Sequence, residues 1–142
     1  MRLVFVASLA LLASACQLLP AKQNSLKTGQ HYRVEWIGER PLIDRSYLSL
    51  TLGQDGKAFG HAGCNRWFGD YQLVGNQLHI DRIATTRKRC APSLMEQENR
   101  YLAALPEVVR WDFSDTGQLQ LWPASGAAIR LWAEPAPADE LE

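Results

Sequence analysis

Three cysteines, three histidines and two glutamates of one helical segment are the residues of this chain whose types and spacing could do chemistry beyond packing. Cys64 and Cys90 stand well apart from Cys16, which follows an apolar leader. In an oxidising compartment such an even pair is most simply a disulfide. It would close a loop of about 27 residues, worth roughly 3–4 kcal/mol in the chain-entropy account. Two free buried thiols are the alternative. His61 precedes Cys64 by three residues, but three residues along an extended strand put the two on opposite faces, and a metal site needs more ligands. A nucleophilic cysteine needs a base beside it, and no supporting signature is present. His31, His61 and His79 read as surface residues at wet strand positions. Glu96 and Glu98 point well apart on a helix, which removes them as an acid–base pair. Glu96 reads as the capping-box partner of Ser93. Glu98 reads as an acceptor for backbone or tyrosine hydroxyl groups, or for the turn at Asn65. The chain has no Gly-x-Ser-x-Gly elbow, no His-Glu-x-x-His and no phosphate loop. The expectation is a protein that is not an enzyme and uses no metal or cofactor.

The compartment is read from the first sixteen residues. Arg2 supplies one positive charge, Leu3 to Leu12 is an apolar run, and Ala13-Ser14-Ala15 leads to Cys16. A membrane span needs about twenty apolar residues, so the run suits a signal-peptide core instead. Leu12-Ala13-Ser14-Ala15-Cys16 looks like a lipobox, with Cys16 as the lipid-attachment residue carrying diacylglycerol and palmitate. Gln17 follows, with no Asp to signal retention at the inner membrane. The expected address is the outer membrane, lipid-anchored and facing the periplasm. Lys plus Arg and Asp plus Glu number 15 each. That balance, with no basic stripe, argues against nucleic acid.

From His31 onward the dominant period is two. Tyr32, Val34 and Trp36 alternate with Arg33 and Glu35, and Leu48, Leu50 and Leu52 alternate with Ser49 and Thr51. Leu119 and Leu121 alternate with Gln118 and Gln120, and Ile129 and Leu131 flank Arg130. These are half-buried antiparallel strands, separated by turn signals such as Gln54-Asp55-Gly56 and Asp115-Thr116-Gly117. One segment breaks the period: Leu94, Glu98, Tyr101, Leu102 and Leu105 share a helical stripe, and Pro106 stops it. The expected architecture is α+β: a curved, mainly antiparallel sheet or half-barrel of about 7–8 strands with one packed α-helix at about 93–105. The organisation is a lipoprotein signal peptide (1–15), lipidated cysteine and tether (16–28), a domain at 29–133 and a disordered acidic tail (134–142).

Two blocks carry a resemblance. The first contains Gly63-Cys64-Asn65 and Gly69-Asp70-Tyr71. The second is Thr86-Arg87-Lys88-Arg89-Cys90, running into Met95-Glu96-Gln97-Glu98. In this order and distance they resemble the META domain of HslJ-like, heat-shock-inducible envelope lipoproteins. The resemblance implies a small β-rich fold with a helix on a curved sheet, no established catalysis and an association with stress. It marks Gly63, Cys64, Asn65, Gly69, Tyr71, Thr86, Cys90 and Glu98 as the family motif.

Two surfaces are candidates for binding. Arg87-Lys88-Arg89 precedes a helix N-terminus, where free amides favour anions. Trp122 and Trp132 share the outward parity of Gln118, Gln120 and Arg130, so they are either covered by the helix or a loop, or form an exposed aromatic patch. The leading expectation is a non-enzymatic lipoprotein that binds an envelope protein or hydrophobic ligand in a stress response. An unrecognised enzyme acting on a cell-wall or lipid substrate, or a structural accessory subunit of an envelope complex, are the alternatives.

Overall fold

A computed structural model describes residues 25–136 and Ala138. The leader, Cys16, most of the tether and the end of the tail lie outside the described residues. Within them the chain forms β1 (His31–Ile37), β2 (Arg40–Pro41), β3 (Ser49–Leu52), β4 (Lys57–His61), β5 (Arg66–Val74) and β6 (Gln77–Thr85). Helix α1 (Pro92–Ala104) follows with a 3-10 turn at Leu105–Glu107. Then come β7 (Val108–Phe113), β8 (Leu119–Pro123) and β9 (Ile129–Glu134).

Neighbouring strands pair antiparallel in chain order from β3 to β9, and β1 pairs both β3 and β9. The β1–β9 ladder runs from His31↔Glu134 to Ile37↔Ile129. The expected half-barrel is therefore a closed barrel of eight strands, with β2 as a short hairpin arm on β1. Inward residues of every strand meet in one core, with Val34, Leu48, Leu50, Leu52, Trp67, Leu78, Leu119, Leu121 and Leu131 all essentially without solvent contact. Leu26 joins that core too, and Gly29 N–H donates to the Leu52 carbonyl. Part of the expected tether thus belongs to the domain. At the other terminus Glu134, assigned to the tail by composition, closes β9.

Two departures from strict alternation matter for function. The β1–β9 register shifts between Val34 and Trp36. A bulge sets two residues against one on the partner strand. Here it leaves Glu35 and Trp36 both on the outer wall and turns Ile37 inward, so Trp36 is not the core residue its parity suggests. His31 has the outward parity expected of it, yet it is buried. The ring of Tyr47 stacks over it at a centroid distance of 6.3 Å. Its Nδ1 and Nε2 meet Thr51 Oγ1 and Tyr47 Oη at 2.9 and 2.6 Å.

Helix α1 starts where Pro92 pre-sets the first turn. It is not capped by a capping box: no side chain caps it, and Glu96 instead accepts from Arg40 and Arg100. Its buried face is Gln97, Glu98 and Tyr101, so hydrogen bonds hold it as much as apolar area does. Tyr101 donates to the Ser49 carbonyl at 3.0 Å, which also accepts the Trp67 indole N–H. The Tyr101 and Trp67 rings meet edge to face, and burial pushes the Tyr101 hydroxyl far above the usual phenol range. Gly60 permits this crowding. A Cβ there would overlap the Ser49 carbonyl, so β3 and β4 could not approach. The helix thereby lies across the end of the barrel where β1, β4, β6 and β8 finish.

Candidate functional site

The motif residues converge on one knot where α1 meets the barrel. Glu98, buried, accepts the backbone N–H of Asn65 at 2.7 Å and of Cys64 at 3.1 Å on one oxygen. Its other oxygen accepts the Asn65 side-chain amide at 2.6 Å. Asn65 passes the link onward: its Oδ1 accepts from Thr86 Oγ1 and from Lys88 N–H, and its Nδ2 also reaches the Lys88 carbonyl. Gly63 turns the chain here at φ 108°, a conformation costly for residues with a Cβ. The Cys64–Cys90 disulfide spans the same two segments, with Cα atoms 5.9 Å apart. Further along β5, Gly69 sits where a Cβ would press on the Asp81 carbonyl, and the Tyr71 hydroxyl donates to the Gly53 carbonyl. Donors and acceptors in this knot saturate one another. It locks the helix onto the barrel.

The basic loop is a separate feature. Arg87, Lys88 and Arg89 are exposed, and the Lys88 backbone is committed to Asn65. The tryptophans divide. Trp122 is half-buried, its N–H on Asp112 and the Arg110 guanidinium 4.7 Å above its ring. Trp132 is 40% exposed, and its N–H reaches Glu35 at 3.1 Å. Neither α1 nor a loop covers Trp132.

Two concavities flank the β1–β2 hairpin. One is an apolar mouth of about 430 Å³, left where α1 fails to cover the β1, β8 and β9 side of the barrel end. Ile37, Val108, Leu121, Ile129 and Ala104 line it, with Arg40, Arg100, Glu39 and Glu107 as its charged residues. Arg100 Nε is buried without a partner among the described residues. The other is a groove of about 540 Å³ on the outer wall, between the β1–β9 surface and the loop at 42–46. Glu35, Trp36, Arg45 and Arg100 were not singled out by sequence. A bulge, a loop conformation and a rim position have no period to reveal them.

A closed antiparallel barrel plugged by a helix that is hydrogen-bonded to a Gly-Cys-Asn turn defines a class of small β-rich domains. Residues 24–136 match the META domain model, and the chain belongs to the META-domain family. Among solved structures it is similar to a protein from Burkholderia xenovorans determined by NMR. That match is 24% identical with a TM-score of 0.63, covering 77% of this chain and 84% of that one. A second NMR structure is 26% identical with a TM-score of 0.57, covering 72% and 86%. No curated protein is similar enough to count as a relative.

Proposed function

We propose that this is a non-enzymatic binding lipoprotein, held to the outer membrane through acylated Cys16 and facing the periplasm, whose barrel mouth takes a hydrophobic ligand in a stress response. The apolar mouth carries the reading. Its volume falls within the roughly 300–1,000 Å³ of small-molecule sites. Its walls are aliphatic and its rim sets the guanidiniums of Arg40 and Arg100 among the carboxylates of Glu39 and Glu107, so that the apolar interior suits a single alkyl or acyl chain entering tail first. The titratable groups with displaced protonation also support binding over catalysis. Burial raises the Tyr101 and Tyr32 hydroxyls inside the core and, with the Asp55 charge, the Tyr71 hydroxyl on β5. The hydrogen bond from Lys57, more than the nearby Arg82 charge, lowers Asp70 on the outer wall. These groups do not converge on one cleft, as a catalytic set would.

Titration with an environment-sensitive probe, dansyl-undecanoic acid, tests the mouth. The wild-type domain should give saturable, blue-shifted emission that oleate displaces. Ala104→Trp, which fills the opening, should weaken binding by about tenfold or more, a loss of roughly 1.4 kcal/mol. Equal binding by wild type and Ala104→Trp refutes the site. The address is tested separately: Cys16→Ser should abolish incorporation of labelled palmitate and release the protein from the outer-membrane fraction. A mutant that still takes up label removes the anchor from the reading.

A further inference from the structure

We infer that the outer-wall groove is a second binding site, independent of the mouth, and that its ligand is a glycan chain. Its floor is the strand pair β1–β9 and its far wall is the loop at 42–46. The floor carries Trp132, whose indole N–H is anchored on Glu35. Glu35 is also gripped by the Gln118 amide at 2.6 Å. The ring is thus held in place while remaining 40% exposed. Beside it Trp36 is pinned under the Arg130 guanidinium at 4.3 Å.

The far wall is as firmly set. Ile43 N–H donates to Gln97 Oε1 at 2.7 Å, and Gln97 Nε2 donates to Ser46 Oγ at 2.9 Å. Asp44 and Arg45 protrude from this braced loop, both exposed. Neither makes a hydrogen bond or ion pair among the described residues. Arg45 holds a φ of 63°, the left-handed region that glycine occupies without strain. A long cationic side chain stands where the backbone favours glycine, as Arg82 also does on β6 outside the groove. Opposite it lies the bulge that brings Glu35 and Trp36 to the same wall. Strained non-glycine residues and bulges gather at ligand sites.

The chemistry of this lining selects among ligand classes. Carboxylates at Glu35, Asp44 and Glu134 nearly balance guanidiniums at Arg33 and Arg45, so the groove has no field for a polyanion. It is too polar for an alkyl chain. A fixed, exposed indole face offers a flat apolar surface with negative charge density, to which the polarised C–H face of a pyranose ring adheres. Across the groove from it, on the facing loop, the Asp44 carboxylate and the Arg45 guanidinium match vicinal hydroxyls, each able to bond two neighbouring groups at once. The occupant that uses an aromatic plate together with both kinds of polar fork is a sugar.

The test uses the isotope-labelled mature domain, titrated with tri-N-acetylchitotriose, maltotriose and galactotriose and read by the Trp132 indole N–H and Arg45 amide signals. At least one trisaccharide should shift both signals saturably, with the signals of the mouth unmoved. Trp132→Ala, followed through the Arg45 amide, should weaken that binding about tenfold. Arg45→Gly removes the guanidinium while relieving the backbone, so it should bind about fivefold more weakly with an unfolding midpoint no lower than wild type. No saturable shift with any of the three sugars overturns the proposal. So do wild-type affinities in both variants. Signals that move with protein concentration in the absence of sugar would assign the groove to contacts between copies of the chain and overturn it too.

Discussion

Glu98→Ala should be the most damaging single substitution in the domain, lowering stability by about 4 kcal/mol or more and the unfolding midpoint by roughly 15 °C. The reason lies in what it leaves behind. Two backbone N–H groups, of Cys64 and Asn65, and one donor of the Asn65 amide all lose their acceptor at once. Each buried orphan costs about 1–3 kcal/mol, and Asn65 is buried with Cys64 half-buried beside it. Glu98→Gln sharpens the test. The amide keeps the size of the carboxylate but turns one accepting oxygen into a donor, so one end must face N–H groups. It should cost about 1–3 kcal/mol, less than alanine and well above a surface change. Thermal and denaturant unfolding of the three proteins decides it. A Glu98→Gln variant as stable as wild type would mean that the knot does not hold the helix.

Loss of the Cys64–Cys90 bridge should be the next largest effect. The cysteines are 26 positions apart, and closing a loop of that length is worth about 3–4 kcal/mol through the unfolded chain. Unfolding in urea with and without reductant, or of the Cys64→Ser/Cys90→Ser double variant, should show a midpoint shift of that size with the strand signal of the folded state unchanged. Because the bridge and Glu98 restrain the same turn, the two losses should depart from additivity, read as a difference between the cost of Glu98→Ala in the reduced and in the oxidised protein. Full additivity would separate the two restraints. No effect of reductant would show that the Asn65 hydrogen bonds alone keep the loop in place.

Much of this was legible in the residues, and what was not has identifiable causes. Period two placed Leu48, Leu50, Leu52, Leu119, Leu121 and Leu131 in the core because antiparallel strands with one wet face have no other way to bury them. Glu98 on an apolar stripe was readable as an acceptor for the Asn65 turn, since a carboxylate at a core-facing position demands donors. Closure of the sheet was not readable. It depends on β1 meeting β9, a pairing that leaves no local mark. His31 kept its parity but lost its solvent, because Tyr47 from a distant loop lies over it. Trp36 lost its parity, because a single bulge reverses every side chain beyond it. Ser93 and Glu96 matched a capping pattern, but Arg40 and Arg100 supplied Glu96 with partners of opposite charge, and the cap went unmade.

The pairing of β1 with β9 also governs when the domain can come into being. His31 and Glu134 sit side by side in the finished ladder although nearly the whole domain separates them along the chain. Contacts of such long range make folding slow, because the loop must close before any of the bonds that reward it can form. Until β9 arrives, β8 and β1 each present a row of unmatched amides and carbonyls, the kind of border that recruits strands from other molecules. A newly made chain therefore passes through an adhesive interval that ends only when β9 docks. In the finished barrel that border has vanished, and the same backbone that invites aggregation early becomes inert.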